Sequence, residues 1–239
     1  MKNSSLGKIV LITGGSRGIG LAMARTFVAS GYSLIITGRD EKRLQAAASK
    51  LKLAQEHVLA LPCDVRDASS VDTLFKEIRK HHSHIDVLIN NAGVAHALAP
   101  VDQLLVETWK EVIDINLTGT FLVTRGALPF MRAGGSIVNN LSVAALQPFA
   151  GMAAYNASKF GALGFTQALR EDLRKRGIRV LALLPGATDT DIWDQFWAGA
   201  PKGKMISAET VAEAVLHAVS APANTSIDEI RIGPASGVL

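Results

Sequence analysis

"KIVLITGGSRGIG", Lys8 to Gly20, runs an unbroken apolar stretch into a cluster of glycines. An apolar run without polar alternation reads as a strand buried on both faces. The glycines then mark a tight turn into a helix. Gly14, Gly18 and Gly20 let the backbone turn, approach a pyrophosphate and pack the following helix closely, while that helix's first N–H groups face anionic oxygens. The spacing, G-x-x-x-G-x-G, differs from the common G-x-G-x-x-G. By itself it fits either a dinucleotide turn or a strand-to-helix connection that holds no ligand.

Similar apolar runs recur along the chain: "SLIIT", "HVLALP", "IDVLIN", "GSIVNNL", "IRVLALLP" and "DEIRI". Each reads as a buried strand. Between them, residues 21–29, 42–53, 71–80, 101–131 and 157–175 show helical spacing. Strand alternating with helix predicts an α/β fold whose parallel sheet carries helices on both faces, with ligands at the carboxyl ends of the strands. The 239 residues are 48% hydrophobic and 19% charged, with no polar or Pro-rich tract to serve as a linker.

The net charge of +4 is scattered rather than gathered into a stripe, so no nucleic-acid partner is expected. "RKRGIR" from Arg174 reads as a helix end closed by Gly177. "HHSH", His81 to His84, lacks a surrounding carboxylate or cysteine framework, so it reads as a solvated helix end and no metal is expected. Neither a secretory signal nor a membrane span is expected. Cys63 is the only cysteine, which excludes an internal disulfide and points to a buried thiol in a cytoplasmic protein.

The glycine turn is followed, in order, by "CDV" at Cys63, "NNAG" at Asn90, "DINLTG" around Asn116, Ser142, "YNASK" at Tyr155 and "PGATDT" at Pro185. This series closely resembles the short-chain dehydrogenase/reductase family over about residues 8–191. The resemblance implies one doubly wound Rossmann domain over residues 1–239, a parallel sheet of about seven strands, and a short substrate lid at about 191–204. It also implies a catalytic tetrad of Asn116, Ser142, Tyr155 and Lys159.

The residue types suit that chemistry. Hydride addition to a ketone makes an alkoxide unless a proton arrives with it, so the site needs an acid that serves as a base in reverse. Tyr155 is the candidate. A free phenol titrates near about 10, and the expectation is that a neighbouring cation lowers it. Lys159, four positions on, lies on the same helix face. Ser142, at the end of the fifth apolar run, is placed to donate to the substrate oxygen. In the family the lysine also holds the nicotinamide ribose, and an asparagine matching Asn116 supports a water relay to it. Asn116 equally suits a bond to helix backbone.

The resemblance further implies that Ser16, Arg17 and Ile19 join Gly14, Gly18 and Gly20 in holding the cofactor. Asp64 and Val65 would line the adenine, Asn91, Ala92 and Gly93 the adenosine side, and Pro185, Gly186, Thr188 and Thr190 the nicotinamide, beside Tyr155 and Lys159. Where NAD-selecting enzymes carry an acid after the second strand, "LIITGRD" has Gly38 followed by Arg39. Asp40 reads as a helix N-cap. Arg17 and Arg39 without an acid point to NADP(H).

In the lid, "DIWDQFWAGAPKGK", Trp193, Phe196 and Trp197 form an aromatic face. It either closes over an apolar substrate, packs the lid onto the body or forms a subunit contact. His96, Phe149, Met152, Trp193 and Trp197 are the expected substrate neighbours, together with Ser142 and Tyr155. The ending "IRIGPASGVL" lacks the double glycine of the family's fatty-acid-synthesis ketoreductases, which counts against an acyl-carrier substrate and a tetramer contact there. The leading expectation is an NADP(H)-dependent reductase of a small, largely apolar ketone, or the reverse alcohol oxidation, working as a homodimer or homotetramer. The alternatives are 3-oxoacyl-thioester reduction and a non-catalytic NADP-sensing or scaffold protein.

Overall fold

The computed structural model describes residues 7–51, 58–222 and 224–237. Strand β1, Ile9–Thr13, is buried along its whole length, with successive side chains entering opposite layers. Val10 and Ile12 pack with Met23 and Phe27 of helix α1, Gly18–Ala29. Ile9 and Leu11 pack with Leu74 and Ile78 of α3, Ala68–His81. This two-sided burial explains the unbroken apolar run.

The remaining strands are β2 (Ser33–Gly38), β3 (Val58–Pro62), β4 (Val87–Asn90), β5 (Ser136–Asn140), β6 (Arg179–Pro185) and β7 (Glu229–Ile232). All pairings are parallel, in the order β3-β2-β1-β4-β5-β6-β7. The chain reverses its direction of progress between β1 and β4, and a crevice opens there at the carboxyl ends. Helices α1, α2 (Glu41–Lys50) and α7 (Ala208–Val219) cover one face, and α3, α5 (Gly119–Ala127) and α6 (Ala153–Arg174) the other.

Several expectations change in detail. Burial on both faces fails at the two edge strands: β3 is only partly covered, and β7 alternates exposed and half-buried residues. The stretch 101–131 is not one helix. It forms α4 (Val106–Ile113), a π-helical turn (Asp114–Thr118), α5 and a 3₁₀ turn (Leu128–Phe130), with Pro129 ending the regular pattern. Helix α6 starts at Ala153, earlier than the spacing indicates, which puts Tyr155 in its first turn. Of the stretch 42–53, α2 ends at Lys50, and residues 52 and 53 lie outside the described residues, as does His57 of "HVLALP". Gly177 closes the end of α6 with φ of 66°, and His81 ends α3 beside Glu77.

Candidate active site

The glycine turn is tied to the crevice by hydrogen bonds from the next strand end. Asn91 Nδ2 donates to the carbonyls of Thr13 (2.9 Å) and Gly14 (3.1 Å). The backbone N–H groups of Asn91 and Ala92 donate to Thr13 Oγ1. Asn140, at the end of β5, donates through Nδ2 to Asn91 Oδ1 at 2.8 Å. Three strand ends thus share one network. Gly14, with φ of 64°, lies so close to it that a Cβ would stand 3.0 Å from Ala92 Cα. Arg17 occupies the N-cap of α1 without a side-chain cap, and the first turn contains no acid, so the helix offers its first N–H groups to an anion.

Every residue assigned to the cofactor from the sequence lines one cavity of about 960 Å³, except Gly20. Gly20 instead packs α1 onto the turn: a Cβ there would fall 2.3 Å from Gly14 O. Its role is closeness of packing, not ligand contact. At one end Arg17 and Arg39 are joined by Arg43 of the first turn of α2, which the sequence reading missed. Asp40 lines the cavity as the N-cap of α2, its Oδ1 accepting from Arg43 N at 2.9 Å. Asp64 lines the cavity, but its carboxylate is clamped by Arg66 at 2.6 Å, and that hydrogen bond holds it below the usual carboxylate range. Glu111 approaches both Arg39 (3.7 Å) and Arg66 (3.8 Å). A dinucleotide fits this site: the turn admits backbone-close phosphates, three guanidiniums flank one end, and the volume accommodates it.

Ser142, Tyr155 and Lys159 line the same cavity. Ser142 caps the 3₁₀ turn Val143–Ala145, its Oγ accepting from Ala144 N at 3.1 Å, and its hydroxyl also hydrogen-bonds the Tyr155 phenol. Asn156 holds this loop in place. Its Nδ2 donates to Ala144 O and Gln147 O, and its Oδ1 accepts from Phe149 N. Lys159 Nζ donates to Asn140 O at 3.1 Å and lies 5.5 Å from the centre of the Tyr155 ring. Burial brings the Lys159 ammonium down to about 8. Burial also pushes the Tyr155 phenol up, with the Ser142 hydrogen bond acting in the opposite sense. The expected lowering of the phenol by the lysine is therefore not the dominant effect. Burial favours the neutral form of both groups.

Asn116 stands behind these three and does not line the cavity. It lies in the π-helical turn, where its Oδ1 accepts from Val94 N and its Nδ2 donates to Val94 O and Ser158 Oγ, all at 2.9 Å. Ser158 Oγ in turn donates to Tyr155 O at 2.7 Å. The carboxamide fixes the loop after β4 against the helix that carries Tyr155 and Lys159. A Cβ on Gly93 would lie 3.3 Å from Asn116 Oδ1 and 3.7 Å from Lys159 Nζ, so the glycine leaves the space between them open.

At the other end of the cavity are Phe149, Met152, Trp193 and Trp197, as expected, together with Phe196 and Ile192. His96 is not among them. It is buried, its Nδ1 donating to Ala97 O at 2.8 Å, because the loop after β4 turns its ring inward. The lid is fastened at two points. Trp193 Nε1 donates to Thr188 O at 2.8 Å, and Gln195 Oε1, a contact missed in the sequence, accepts from Ala95 N at 3.0 Å. Trp193 packs against Phe196 and Trp197, so it both anchors the lid and walls the cavity.

A sequence profile described as short chain dehydrogenase matches residues 8–200. The chain belongs to the short-chain dehydrogenase family. It is an oxidoreductase similar to sulfoacetaldehyde reductase 2 of Chromohalobacter salexigens, 37% identical over 95% of this chain and 94% of that protein. A short chain dehydrogenase from Burkholderia cenocepacia in complex with NADP has 31% identity and a TM-score of 0.86 over 95% of this chain and 97% of that one. The closed form of serine dehydrogenase complexed with NADP+ has 30% identity and a TM-score of 0.87, covering 97% and 96%. The seven-stranded doubly wound sheet is the fold of this family.

Proposed function

We propose that this short-chain dehydrogenase is NADP(H)-dependent and interconverts a ketone and a secondary alcohol on a small molecule. The observation that carries the reading is the convergence of Ser142, Tyr155 and Lys159 on one cavity whose far end holds the uncapped glycine turn and three arginines. When bound, the nicotinamide supplies or accepts the hydride. Ser142, whose hydroxyl lies against the Tyr155 phenol, donates its O–H to the carbonyl oxygen once substrate is bound and orients it. Tyr155 gives that oxygen its proton during reduction, so one hydride and one proton convert C=O to CH–OH. The phenol that burial keeps neutral is already in the form reduction needs. Lys159 spends one hydrogen bond on Asn140 O, and its other donors would serve the cofactor ribose and the tyrosine. Asn116 is a positioning residue.

The aromatic wall suits a largely apolar body, and the compounds in two of the relatives' names, sulfoacetaldehyde and serine, are small molecules. A homodimer or homotetramer, joined through Phe121 of α5 and Phe160 of α6, 44% and 45% exposed, is part of the same proposal. Among the described residues no helix is long and apolar enough to cross a membrane, and with Cys63 as a buried free thiol a cytoplasmic location is proposed.

NADPH is expected to bind about 10- to 150-fold more tightly than NADH, the worth of a charge-assisted phosphate contact, and Arg39→Ala is expected to remove most of that margin. Titrating both nucleotides into both proteins measures it. Equal affinities in the unmodified protein would overturn the cofactor assignment.

Alcohol oxidation needs the Tyr155–Lys159 pair short of one proton, so its rate is expected to rise with pH through an apparent value near the 8 set by burial of Lys159. That value belongs to the pair. In Lys159→Met the profile should move upward, since the remaining phenol is raised by burial. An unchanged profile in Lys159→Met would remove the lysine from the titrating unit.

A further inference from the structure

Five cations line the cavity: Arg17, Arg39 and Arg43 at the glycine-turn end, Lys159 beside Tyr155, and Arg231 of β7. Arg231 has no task in the reaction described above. The period of two along β7 fixes its direction. Ile230 and Ile232 pack into the layer that contains Val211 and Val215 of α7, so Arg231 projects from the opposite face. That face carries α6. Arg231 is in register with Leu184, and Leu184 packs with Ala162 of α6 and with Leu141, the residue before Ser142. Arg231 is exposed, and it lines the edge of the cavity on the face that carries α6, the helix of Tyr155.

Among the described residues Arg231 has no ion-pair or hydrogen-bond partner. Asp191, the acid on the lid side of the cavity, makes no ion pair with it. Edge strands commonly carry charges that discourage sheet-to-sheet pairing, and that accounts for Glu229, which is exposed and does not line the cavity. It does not account for Arg231, which is exposed as well but lines the cavity. An arginine fork matches the paired oxygens of a carboxylate or sulfonate.

We infer that Arg231 anchors an acidic group of the substrate, a ketone or secondary alcohol that carries a carboxylate or sulfonate at the far end of an apolar body. This deepens the reading of the cavity as a dehydrogenase site and rests on it. The small, largely apolar substrate expected from the sequence becomes an apolar body with one anionic end.

Binding of phenylacetate, phenylmethanesulfonate and the neutral phenylacetamide tests the anchor by calorimetry, with NADP+ saturating so that Arg17, Arg39 and Arg43 are covered. The anions are expected to bind at least about 10-fold more tightly than the amide, the carboxylate and sulfonate arms showing which acid is preferred. Arg231→Gln should abolish the preference and leave the amide's affinity unchanged, whereas Arg231→Lys should keep part of it. Equal affinity of acid and amide for the unmodified protein, binding of none of the three, or a preference that survives in Arg231→Gln would each overturn the proposal. The readout is binding, so the same titration on Tyr155→Phe should give the same pattern. Unimpaired turnover by Tyr155→Phe would refute the dehydrogenase mechanism and leave the anchor standing.

Discussion

Tyr155→Phe is expected to slow ketone reduction by about 10²–10⁴-fold, the usual loss when a positioned general acid is removed. The substitution keeps the ring, and with it the packing of the first turn of α6. No neighbour replaces the lost proton donor. Ser142 already accepts from Ala144 N and is assigned to orienting the oxygen, while Lys159 is tethered to Asn140 O, 5.5 Å from the ring centre. Ser142→Ala should cost about 10²–10³-fold if its O–H serves as an oxyanion donor. NADPH affinity of Tyr155→Phe should remain near that of the unmodified protein. Steady-state kcat and a fluorescence titration of NADPH on the same samples separate loss of chemistry from loss of binding.

The second large effect concerns a residue that touches no ligand. Gly20→Ala is expected to weaken NADPH binding about 10- to 100-fold and to lower Tm, because its Cβ would enter within 2.3 Å of Gly14 O and 2.4 Å of Asn91 Nδ2. Neither atom has room to give. Gly14 O belongs to the turn itself, and Asn91 Nδ2 is committed to two carbonyls while its Oδ1 holds Asn140. Gly203→Ala is the control, since nothing lies within 4 Å of a Cβ added there and the residue does not line the cavity. It should melt and bind NADPH like the unmodified protein. Thermal melting and NADPH titration of the two variants measure the contrast, and a Gly20→Ala protein that melts and binds like the unmodified one would contradict this packing account.

The parts legible in the sequence are those whose information is local. A strand buried on both faces has to be apolar at every position, so β1 and its glycine turn could be read directly. Tyr155 and Lys159 could be paired because a spacing of four fixes a shared helix face. Asp40 could be recognised as a cap because an N-cap bond reaches only three residues along the chain. What escaped depends on where separate segments meet. Whether His96 faces the cavity is decided by the path of the loop after β4, and no periodicity encodes that path. The π-helical turn at Asn116 is a matter of backbone register, invisible in side-chain spacing that looks helical throughout 101–131. Asn140, Gln195 and Arg231 gain their roles from partners or walls far away in sequence. The sign of the Tyr155 shift also escaped, because the residue types announce a neighbouring cation but not the depth of burial that outweighs it.

The most direct test of the proposed reaction follows the hydride itself. NADPH carrying deuterium at both positions of its hydride-donating carbon is incubated with the protein and a panel of ketones and keto acids, and the alcohol formed is analysed by mass spectrometry. The reading predicts one deuterium on the carbinol carbon of the product, a hydroxyl proton drawn from solvent, and product formation slowed at least about 100-fold in Tyr155→Phe. Alcohol formed without deuterium at that carbon, or formed equally fast by Tyr155→Phe, would contradict it.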